Sequence, residues 1–96
     1  MKLSDEQIAK LMQLIHFAFT DIRMLAWQKK SEQAADLADA FHNLPTELRT
    51  NTVVLEQFRD MFLKPYFEKH PDGTAYNYVA LVNNILASNT DVSGNW

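Results

Sequence analysis

Apolar positions recur every three to four residues along most of the chain. Between residues 8 and 26 the set Ile8, Leu11, Met12, Ile15, Ala18, Phe19, Ile22, Leu25 and Ala26 follows that spacing. On a wheel of about 100° per residue these side chains form one broad arc. Ser4 followed by Gln7 is a capping box, and Asp5 and Glu6 suit the positive end of a helix. The pattern predicts a first helix over 5–30. Ser31 reads as a second N-cap, and Ala34, Leu37, Ala38, Phe41 and Leu44 give a narrower apolar face over 32–43. Asn43 suits a helix end, and Pro45 stops the segment because it has no N–H.

The second half repeats the theme. Asn51 or Thr52 can cap a third helix over 52–64, with Val54, Leu55, Phe58, Met61 and Phe62 inward and Pro65 as its stop. Asp72–Gly73 is a turn signature, and Thr74 is the expected cap of a fourth helix over 74–88. Ala75, Tyr78, Val79, Val82, Ile85 and Leu86 would face its core. Residues 46–49 suggest a short helical turn, and the polar tail 89–96 reads as frayed except for a docking Trp96. No period-two run is long enough for a strand. The expectation is all-α: a single domain, 1–96, in a compact four-helix bundle-like arrangement with short connections.

Composition narrows the function. The chain has 96 residues, 47% of them hydrophobic, and a net charge of −3, which suits one globular domain. It has no cysteine, which removes disulfides, thiolate zinc sites and thiol nucleophiles. The early apolar run is broken by Lys10, Gln13, His16, Asp21 and Arg23, too polar and too short to span a bilayer, and it lacks the small-residue cleavage site after a clean apolar core that a signal peptide has. A cytoplasmic protein is expected. Residues 31–48 carry Glu32, Asp36, Asp39 and Glu47 with no lysine or arginine. No segment forms the basic stripe that a phosphate backbone requires, so nucleic acid is not an expected partner.

Four features invite a chemical reading. Asp36, Asp39 and His42 lie three apart, a spacing by which one helix offers metal ligands. Leu37, Phe41 and Leu44 occupy the opposite face, so these polar groups are expected on a solvated side, and no metal, cofactor or catalytic residue is assigned. Second, Phe17, Thr20, Met24 and Trp27 form a further stripe on helix 1. It is either covered within the monomer by neighbouring helices or an interaction surface. Third, the outward side of helix 4 holds Tyr76, Asn77, Ala80, Asn83, Asn84 and Ala87 without charge, the pattern of a neutral solvated face or of a second contact surface. Fourth, Glu32, Asp36 and Asp39 could meet a basic partner or simply confer solubility. His70 before Pro71 reads as turn chemistry.

The stretches "IRMLAWQKKSEQAADLADAFHNLP" (22–45) and "YFEKHPDGTAYNYVALVNN" (66–84) resemble a small uncharacterised bacterial all-helical family. The resemblance implies a self-contained bacterial domain and attaches no activity to it. No nucleotide loop, zinc spacing or nucleophile motif is present, and an enzyme is not expected. The expected function is protein interaction, with itself as a homodimer or with a heterologous partner. The alternative is an inhibitor or immunity-type protein that neutralises a basic partner through its acidic second helix.

Overall fold

The computed structural model describes residues 2–44 and 51–88. The expected turn at 46–49, the tail 89–96 and Trp96 lie outside them. Among the described residues the fold is all-α, with five α-helices and one π turn arranged as four rods, and one isolated bridge between Lys2 and Asn51.

The first rod is α1 (Asp5–Trp27). Its capping box forms as expected: Ser4 Oγ accepts from Gln7 N at 3.1 Å, and Gln7 Oε1 accepts from Ser4 N at 2.8 Å. Gln7 Nε2 also donates to Ile85 O at 2.8 Å, so the capping residue ties the start of α1 to the far end of the chain. The helix ends three residues before the expected boundary. Lys30 N donates to Leu25 O, Lys29 N donates to Ala26 O, and Lys29 takes a left-handed φ of 61°. This is a Schellman close with a lysine where glycine is the usual choice. Helix α2 (Ser31–His42) is next, with Lys30 rather than Ser31 at the N-cap position.

The third rod departs most from expectation. Asn51 Oδ1 caps α3 (Thr52–Phe58) by accepting from Val54 N at 3.0 Å. The chain does not stop at Pro65. It widens into a π turn (Arg59–Leu63), where Lys64 N donates to Arg59 O, and continues as α4 (Lys64–Lys69). Pro65 sits in the first turn of α4, where a missing N–H is tolerated, and the wider turn before it makes room for the ring. The extra residue in that turn rotates every later side chain of the rod. Leu63 is fully buried, while Met61, expected inward, is 63% exposed.

Helix α5 (Tyr78–Ala87) starts later than Thr74, under the cap of Asn77. The reason lies on α1, where Asp21 Oδ1 accepts from Ala75 N at 2.9 Å and holds that amide outside a helix. Thr74 donates to Tyr76 O instead of capping, and Ala75 is exposed.

The core gathers Leu11, Leu14, Leu25, Leu37, Leu55, Phe58, Leu63, Val82 and Ile85. Phe41 stands edge-on to both Phe58 and Tyr78, with ring centroids 5.4 and 5.3 Å away. Helix α1 packs mainly on α2 and also on α5. Two α1 charged groups are buried with partners: Lys10 Nζ reaches Ser88 Oγ at 3.1 Å, and Asp21 accepts from Tyr78 Oη as well as from Ala75. Besides Met61 and Ala75, four more positions expected inward are exposed: Met12, Phe19 and Ala26 on α1, and Ala38 on α2, where Ala40 takes the buried place.

Candidate functional site

Two surface regions gather the residues singled out in the sequence. The first is an apolar strip at the outer side of α1. Phe17 is half-buried because the ring of Tyr76 stacks on it, with centroids 4.2 Å apart and planes 4° from parallel. Tyr76 therefore belongs to this strip and not to a helical face of α5, since it precedes Asn77, the cap of that helix. Thr20 is exposed and donates to His16 O at 3.2 Å. Met24 is exposed, and Trp27 at the end of the helix is 65% exposed. The Arg23 guanidinium lies 4.5 Å above the Trp27 ring, a cation–π contact that orients the indole without covering it. Beyond Tyr76 the strip runs into an open groove of about 620 Å³ between α4 and the 71–77 loop, with Phe67, Ala75 and Val79 in its lining. Such a surface offers aromatic contact area with a polar rim and can hold a protein side chain.

The neutral side of α5 is exposed at Ala80, Asn83, Asn84 and Ala87. It is not wholly idle: Asn83 Oδ1 accepts from Arg59 Nη1 at 2.8 Å, and Asn84 O accepts from Ser88 Oγ at 2.7 Å. Arg59 also pairs with Asp60, and this contact, helped by Lys64, lowers the pKa of the Asp60 carboxyl to about 2.

The second region is the acidic side of α2, and here the spacing in the sequence misleads. Asp36 is not grouped with Asp39 and His42, both of which are exposed. It is half-buried against the end of α4, where its Oδ2 takes His70 Nε2 at 2.7 Å and Lys69 Nζ at 3.1 Å. Lys69 also reaches Glu32 Oε2 at 3.4 Å. The hydrogen bond from His70 and then that from Lys69 hold the Asp36 carboxyl below the usual carboxylate range, and the Asp36 contact raises the Lys69 ammonium. Glu32, Asp36 and His70 bring ligand atoms within 4.8 Å of one another, but the Lys69 ammonium already supplies the positive charge that three such groups invite. The cluster is a clamp between α2 and α4. Local spacing could not show His70, since its partner lies 34 residues away. The proline after it is the available signal, because a residue before proline is steered out of the helical region, and His70 accordingly ends α4.

Among the described residues no helix is long and apolar enough to cross a membrane. Compared with family models, curated proteins and solved structures, the chain matches none.

Proposed function

We propose that this protein is a small interaction module that associates with itself. The observation that carries the reading is the number of large apolar side chains left outside the core among the described residues. Met12, Phe19, Met24 and Trp27 are all exposed on the single helix α1. Isolated apolar side chains on a surface need no explanation, but two pairs on one helix, Met12 with Phe19 and Met24 with Trp27, leave the kind of apolar area that marks a contact surface. Tryptophan flanked by arginine, as at Trp27 and Arg23, is the composition found where binding energy concentrates.

The acidic alternative has less support. Lys69 and His70 occupy Glu32 and Asp36, so that among the described residues Asp39 is the member of that trio for which no salt bridge forms. A basic partner would have to compete with an internal lysine.

Light scattering of the full chain tests the reading. A dimer mass, twice 11.1 kDa, is expected at concentrations of about 200 µM, a range suited to a weak contact of modest area. A monomer throughout that range would overturn self-association.

A further inference from the structure

We draw no further inference here: the strongest candidate, the apolar surface patch on the outer face of α1 that carries Met12 and Phe19, is an unpartnered helix face, and nothing in the structure shows what covers it.

Discussion

Replacing Tyr78 by phenylalanine removes one hydroxyl and leaves the ring that packs against Phe41. The perturbation is sharp because of what the hydroxyl serves. Asp21 is 3% exposed, and the donors that meet its carboxylate are the Tyr78 hydroxyl and the Ala75 amide. Hydrogen bonds to charged groups are worth about 1.5–3 kcal/mol, and a buried charge that loses one keeps its desolvation cost. A loss of about 2 kcal/mol is therefore expected for Tyr78→Phe. In a domain of this size that lowers the melting temperature by about 10 °C and the urea midpoint by about 1–2 M. An alkaline titration adds a second readout. Burial first, and then the hydrogen bond to Asp21, raises the Tyr78 phenol far above its ordinary value. Above about pH 10 the unfolded tyrosine ionises while the folded one keeps its proton, so the folded state binds more protons and stability falls as pH rises. Below that pH the contribution is fully present. Burial raises Tyr66 as well, so Tyr78→Phe should flatten the alkaline slope without abolishing it. Urea unfolding at pH 7 and above pH 10 measures both effects. A loss under about 0.5 kcal/mol, within the range of an ordinary surface change, with an unchanged alkaline slope, would refute the role given to this pair.

The helix geometry supplies two further stability predictions. Leu63→Ala should cost about 3 kcal/mol as a core truncation, and Met61→Ala should stay within about 0.5 kcal/mol; the reverse order in denaturant titrations would mean that the third rod is a regular α-helix. Lys29→Gly should stabilise by about 0.5–1 kcal/mol, because glycine adopts the left-handed cap without a side-chain clash and gives back part of that gain as unfolded-state entropy. A lower melting temperature for this variant would contradict the close described for α1.

The helices that can be read from sequence are those whose signals are local. The capping box at Ser4 and Gln7, the 3–4 spacing of α1 and the extent of α2 all lie within a few residues of what they determine. The departures share a different origin. Asp21 looks like a polar break in an apolar arc, because the groups that satisfy it are 54 and 57 residues away. The same carboxylate delays α5 by holding the Ala75 amide, so Thr74 loses its role to a competitor that no local pattern reveals. Pro65 is a stop only if the geometry is α-helical throughout. The apolar series Phe58, Leu63, Tyr66 is the available warning, since it falls out of phase with Leu55 and Phe58 by one residue. On the surface, the stripe of Phe17, Met24 and Trp27 is visible as a pattern, but its link to Tyr76 requires the loop before α5. Met12 and Phe19 look like core because the apolar arc of α1 is wider than its neighbours can cover.

The π turn between α3 and α4 has an effect on the whole arrangement. A single extra residue turns everything downstream by about 100° around the helix axis. The segment before it packs on α5, and the segment after it packs on α2. Without that rotation Lys69 and His70 would swing away from Asp36, and Tyr66 would leave the core. The wide turn thus works as a mechanical coupling: one unbroken shaft carries two contact faces at different angles, and so braces two neighbours that a regular helix of the same length could not reach together.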